Sequence, residues 1–223
     1  MSDNLVSKSL AYILSIIGHP MLIIMYVFFL YLKVNPYLFP YSSNRELIAL
    51  TLIIFFTSVL IPIIAILLMM GVGFIKSLEM KERTERIGPL IVVAISYLWL
   101  YLNIRTHSAV PIPYANFVLG ALIALFLAFF LNNFSKISLH GVGVGGLLMA
   151  ALHLIIEYGD RYILLDLFGS SVQIHNIVIL LIVLVLGGAV LSSRLFLRAH
   201  NFQDVAGGFS VGVLGQLIAV LFF

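Results

Sequence analysis

Seven apolar runs, each close to the length of a membrane crossing, constrain this chain more than any other feature. They lie at roughly residues 10–32, 46–70, 89–106, 114–133, 139–158, 174–193 and 204–223. A spanning helix needs about 20 apolar residues, and lipid offers the backbone no hydrogen-bond partners outside a helix or a closed barrel. The expected fold is therefore all-α: a polytopic membrane helical bundle of six to seven transmembrane helices, with its active site at one membrane face. One domain, residues 1–223, accounts for the whole length. Only 9% of the residues are charged, against about 25% in soluble domains. Cysteine is absent, which excludes disulfides and thiolate metal sites. The first run is longer than the roughly 7–15 residues of a signal-peptide core, so it reads as a retained span. His19-Pro20 in its middle predicts a kink. His19 itself reads as a buried, hydrogen-bonded bundle residue.

Small residues recur at intervals of four in two runs. Gly141/Gly145 and Gly208/Gly212 predict seams where two membrane helices approach closely. No strand precedes these glycines, so they do not form a phosphate loop or a dinucleotide fingerprint.

Parity then sorts the polar segments. Segments 71–88, 134–138 and 194–203 each follow an even number of spans, so all three share the side of the N-terminus. The first carries Lys76, Lys81, Arg83 and Arg86, the second leads through Lys136 and Ser138 to His140, and the third carries Arg194, Arg198 and His200, with Asp204 just beyond. Ionisable residues bordering membrane spans are functional candidates by default. Polar groups converging at one end of a helical bundle are how such folds build sites. If residues 198–206 are helical, His200 and Asp204 share one face, four residues apart.

Those residue types suit a phosphate ester. Arg194, Lys81 and one of Arg83 or Arg86 can hold the equatorial oxygens. Ser138 can add a hydroxyl, and the amides opening the following helix add dipole support. His200, oriented by Asp204, can attack phosphorus, and His140 can protonate the leaving oxygen.

At these residues the chain resembles the integral-membrane type 2 phosphatidic acid phosphatase superfamily. That family carries K-x-x-x-x-x-x-R-P, P-S-G-H and S-R-x-x-x-x-x-H-x-x-x-D. Ser193, Arg194, His200 and Asp204 match the third at every fixed position. Ser138 and His140 keep half of the second, with Ile137 and Leu139 in place of proline and glycine. The first is degenerate. Lys81 and Pro89 have its separation, but Gly88 stands where arginine is expected; Lys76 and Arg83 have the lysine–arginine spacing, but Thr84 follows; Arg86 can supply the guanidinium. The resemblance covers residues 76–204. It implies a phosphohistidine at His200 supported by Asp204, His140 as general acid, no metal and no cofactor. It also implies a lipid phosphate substrate within the bilayer: phosphatidate, phosphatidylglycerophosphate, undecaprenyl diphosphate or a lipid A phosphate. The family core has six helices, so a seventh span is a departure. A multi-pass protein of a bacterial inner membrane, with no nucleic-acid partner, follows from the same resemblance.

Plainer readings stand beside these. Glu79, Glu82 and Glu85 alternate with the cations of 76–86, as on a solvated helix face laced with ion pairs. His153 and Glu157 are four apart inside the fifth run and read as a buried structural pair, or as metal ligands in a metal-dependent enzyme. Asp160, Arg161, Asp166 and His175 read as polarity of a loop on the opposite side. The positive-inside rule places the cation-rich side in the cytoplasm, whereas members of the resembled family often face the periplasm or lumen, so the side stays open. A non-catalytic lipid-phosphate binder or transporter on the same scaffold is the alternative function.

Overall fold

The computed structural model of the chain describes residues 2–80, 82–167 and 170–221. It is 77% helical. Among the described residues, seven helical segments are long and apolar enough to cross a membrane: Val6–Val34, Asn44–Gly71, Thr84–Ile104, Ile112–Asn132, Leu139–Tyr158, Asn176–Phe196 and Phe202–Leu221. The chain is thus a multi-pass membrane protein of all-α architecture, and the spans agree with the apolar runs to within a few residues.

Three spans are interrupted, each for a local reason. The first divides into α1 (Ser2–Ile17) and α2 (Ile23–Val34), joined through a tight turn at Pro20–Leu22. Pro20 lacks an amide proton, and His19 is extended at φ −63°, ψ 132°, its Nδ1 accepting from Met21 N at 3.3 Å. The expected kink is therefore a full break. The second span contains α3 (Asn44–Phe55), a wide π turn at Phe56–Leu60 and α4 (Ile61–Gly71). Pro62 cannot donate to the preceding turn, and the ladder loosens there. Thr57 and Ser58 hydroxyls donate to Ile53 O (2.6 Å) and Ile54 O (2.7 Å), so the nearby carbonyls are not left bare. The fifth span, α7 (Leu139–His153), ends in a second π turn at Leu154–Tyr158.

The remaining helices are α5 (Ile87–Ile104), α6 (Ile112–Asn132), α8 (Asn176–Phe196) and α9 (Phe202–Leu221). Phe28, Tyr31, Phe39 and Tyr114 pack edge-on or tilted at 5.4–6.3 Å between centroids, and they anchor the core between α2 and α6. The connection expected as a plain polar loop instead holds an antiparallel hairpin, β1 (Tyr162–Leu167) paired with β2 (Ser170–His175). Its alternation is short, and it lies between two stronger helical signals, which hides it in the sequence.

The expected glycine seam is the contact that fixes the site. A Cβ on Gly208 would run into Ser138 O, and one on Gly212 into Val142 O. From the other helix, a Cβ on Gly141 would stand 2.7 Å from Val205 O. Helices α7 and α9 therefore cross backbone against backbone, and only glycine permits it. This brings their N-termini together: Ser138 N donates to Asp204 O at 3.1 Å.

Candidate functional site

Arg194 lies in the last turn of α8, and the chain bends sharply just after it. Ala199 N donates to Arg194 O (3.1 Å) and Arg198 N to Leu195 O (3.0 Å). Arg198 is left-handed at φ 53°. This is a Schellman ending of α8, with an arginine where glycine is usual. The turn carries His200 back over the bundle end and starts α9.

His200 lies just before α9, so residues 198–206 are not one helix and the pair does not form across a helix face. The pair forms by capping instead. Asn201 Oδ1 accepts from Asp204 N (2.8 Å), and Asp204 Oδ2 accepts from Asn201 N (3.2 Å), a reciprocal box at the start of α9. The same carboxylate oxygen accepts from His200 Nδ1 at 3.2 Å. His200 and Asp204 side chains are only 5% and 14% exposed. Burial pushes the His200 imidazole down to about 4; the Asp204 hydrogen bond opposes this, and the charges of Arg86, Lys136 and Arg194 add to it. At neutral pH the ring is neutral, with its proton on Nδ1 and a lone pair on Nε2.

The cations divide into two groups. Arg83 is exposed, and its Nη1 donates to Asn133 O (3.3 Å) and Phe134 O (2.7 Å), the end of α6. It acts on the negative end of a helix dipole. Arg86 is buried, and donates from Nε to Met80 O (3.0 Å) and from Nη1 to Ile137 O (3.1 Å). These bonds tie the first polar segment to the second. Lys136 donates to Ala199 O at 2.9 Å and ties the second to the third. Burial, followed by Arg86, holds its ammonium below the ordinary lysine value, with Asp204 opposing. Lys81 lies outside the described residues.

The stretch before Arg86 is not the ion-paired helix expected. Only Thr84–Arg86 forms a short helical turn. The Lys76–Glu82 pair, at 3.1 Å, is exposed on a loop. Glu85 is buried, and its carboxylate accepts from Lys76 N (3.1 Å) and Glu82 N (3.4 Å), folding the loop onto itself. Ser138 is wholly buried, with Oγ accepting from Gly141 N at 3.3 Å as the cap of α7. That cap holds the His140 turn.

His140 and Arg194 reach a neighbour that no motif announces. His140 Nε2 donates to Ser15 O at 3.0 Å, and Arg194 Nη1 donates to Ser15 Oγ at 3.1 Å. The His19 ring meets His140 edge-on, centroids 5.6 Å apart. His19 is thus not an isolated core histidine. Hydropathy blends it into a continuous apolar run, and only the break after Ile17 brings it here. A histidine beside proline inside a span is the one signal that could have found it. Arg194 Nε is buried and has no acceptor among the described residues. So the end of the bundle holds three imidazoles, two buried or half-buried guanidiniums and an ammonium, with one guanidinium donor left over.

His153 and Glu157 do not form the pair expected. His153 packs edge-on against Tyr158 at 5.7 Å, and Glu157 is exposed. No group of three or more potential metal-ligating side chains gathers among the described residues. Two described cavities lie away from the histidine cluster, one beside Tyr31, Asn116 and His153 and one beside Phe56, Trp99 and Asn103. No family model, curated protein or solved structure matches the chain.

Proposed function

We infer that the chain is a membrane lipid phosphate phosphatase that works through a phosphohistidine, and that it is a divergent relative of the type 2 phosphatidic acid phosphatases. One observation carries most weight. The Arg194 Nε–H, buried with no acceptor among the described residues, lies in a cluster where Arg86, Lys136 and three histidines gather and the Asp204 carboxylate is already bonded to His200 and Asn201. A buried donor of this kind calls for an anion.

In the reaction, His200 Nε2 attacks phosphorus in line with the ester oxygen. The N–P bond forms as the P–O bond breaks. His140, protonated at this stage, gives its proton to the leaving alkoxide. Asp204 stabilises the charge that develops on the His200 ring. Arg194, with Arg86 and Lys136 adding positive field, stabilises the equatorial oxygens. Water then attacks phosphorus, its proton passes to His140, and inorganic phosphate leaves with His200 neutral again. No redox partner enters the balance.

Detergent-solubilised protein should release phosphate from at least one of phosphatidate, phosphatidylglycerophosphate, undecaprenyl diphosphate or a lipid A phosphate. It should do so with chelator present. A second reading, lipid-phosphate binding without turnover, is favoured by Gly88 in place of arginine and by Arg83 being committed to the end of α6. Tight binding of an anionic lipid with no release across that panel would select it.

A further inference from the structure

The first span contributes directly to this cluster, and its hydrogen bonds define their own polarity. Ser193 Oγ donates to Val190 O at 2.7 Å. It must then accept from Ser15 Oγ, 3.0 Å away. Ser15 Oγ is left to accept from Arg194 Nη1 at 3.1 Å. The chain of bonds therefore runs one way, from the guanidinium through two hydroxyls to the α8 backbone. The carbonyl of the same serine, Ser15 O, takes the His140 Nε2 proton. A neutral His140 then keeps its lone pair on Nδ1, and a protonated His140 presents a free N–H at Nδ1 alone. His19 packs its ring against His140 and commits Nδ1 to Met21 N, so its own proton is on Nε2. Gly18 lets the break lie close against α8, since a Cβ there would stand 2.6 Å from Val190 Cγ1.

We propose that Ser15 and His19, on the two sides of the break in the first span, are positioning residues of the phosphate site: Ser15 aims the Arg194 guanidinium, and the Ser15–His19 turn aims His140 as proton donor to the leaving group. This rests on the phosphatase reading above and adds to it a helix that the motif-bearing segment does not include. The break frees the Ser15 carbonyl: in an unbroken helix it would accept from His19 N, which here donates to Ile16 O at 3.2 Å, and Ser15 O accepts from His140 instead. The two residues act on different steps. Ser15 Oγ touches the group that holds phosphate. His19 touches the group that protonates the alkoxide.

Leaving-group chemistry separates positioning from mere packing. An alkyl lipid phosphate needs its leaving oxygen protonated, whereas p-nitrophenyl phosphate releases p-nitrophenolate, which is stable without a proton. His19→Ala should lower kcat on a lipid phosphate by about 10-fold or more and change p-nitrophenyl phosphate turnover by less than about 3-fold. His140→Ala should show the same split more strongly. Ser15→Ala should raise KM and the inhibition constant of inorganic phosphate by about 10-fold with kcat nearly kept, and Ser15→Thr, which restores the hydroxyl, should recover most of it. Thermal melting in detergent, run in parallel, reports whether each variant is folded. Equal loss on both substrates, or none, with active wild type would overturn this proposal and leave the phosphatase reading intact. Wild-type protein inert on every lipid phosphate and on p-nitrophenyl phosphate would overturn both.

Discussion

Two histidines in this chain are followed four residues later by a carboxylate, and the fold treats them in opposite ways. His200 and Asp204 are joined at 3.2 Å and nearly buried. His153 and Glu157 part company, the histidine turning to Tyr158 and the glutamate to the surface. Neither pair sits on a regular α-helix. At 153–157 the wide π turn replaces the geometry that would bring i and i+4 together. At 200–204 the chain has just left a Schellman turn, and the third residue of α9 folds back as half of a capping box. The same spacing thus gives a pair or no pair according to the backbone that carries it.

The contrast is tested most plainly at the histidines. His200→Ala should reduce lipid phosphate hydrolysis by at least about 10³-fold, because it removes the atom proposed to attack phosphorus. His153→Ala should leave turnover within about 2-fold. Phosphate release assays on the two variants decide it; comparable losses would make the spacing, not the backbone, the determinant. Next come the carboxylates. Asp204→Asn keeps the shape but loses the acceptor that holds the His200 tautomer, and should cost about 10²-fold in kcat. Glu157→Gln and excess chelator should both leave the rate unchanged. Inhibition by either would revive a metal-dependent reaction at the far end.

Protonation sharpens the contrast. In the proposed reaction His200 attacks as the neutral ring, and burial holds its folded value down at about 4. The acid limb of kcat/KM assigned to this residue should therefore fall near pH 4, not near the ordinary histidine value of about 6.5. The linkage has the same direction. The unfolded ring takes a proton first as pH falls, so the stability that the neutral ring contributes is present above about 6.5 and is lost between there and 4. Nitrogen-resolved NMR titration of the His200 ring checks this directly. A midpoint at or above the ordinary value would mean that the burial and the surrounding cations do not control it.

Much of this architecture is legible in the residues alone. The spans follow from hydropathy, because lipid leaves the backbone no other option. The α7–α9 seam follows from Gly141, Gly145, Gly208 and Gly212, because small residues at intervals of four have few other uses in a membrane. The common end of the polar segments follows from counting crossings. The features hidden from the sequence depend on local backbone. The sequence of 76–86 carries a helix-like charge pattern, yet the Glu85 carboxylate bonds the amides of Lys76 and Glu82 instead of a neighbour's side chain. Arg83 and Arg86 look interchangeable by spacing, and only the end of α6 separates their tasks. Ser15 carries no motif at all, and its role arises where α1 stops.

The turn that makes the His200 pair can also be strengthened without touching the pair, and this is the smallest effect expected. Arg198 holds a left-handed conformation at φ 53° in the Schellman position, and its side chain is exposed. In an L-residue the Cβ makes that conformation costly, whereas glycine adopts it freely. Arg198→Gly should therefore raise stability by about 0.5 kcal/mol and leave hydrolysis nearly unchanged. A rise of a degree or so in melting temperature at constant activity would assign the pair to the backbone turn. A fall in both would mean that the Arg198 side chain itself holds the turn, and the contrast between 200–204 and 153–157 would then rest on a charge as well as on chain geometry.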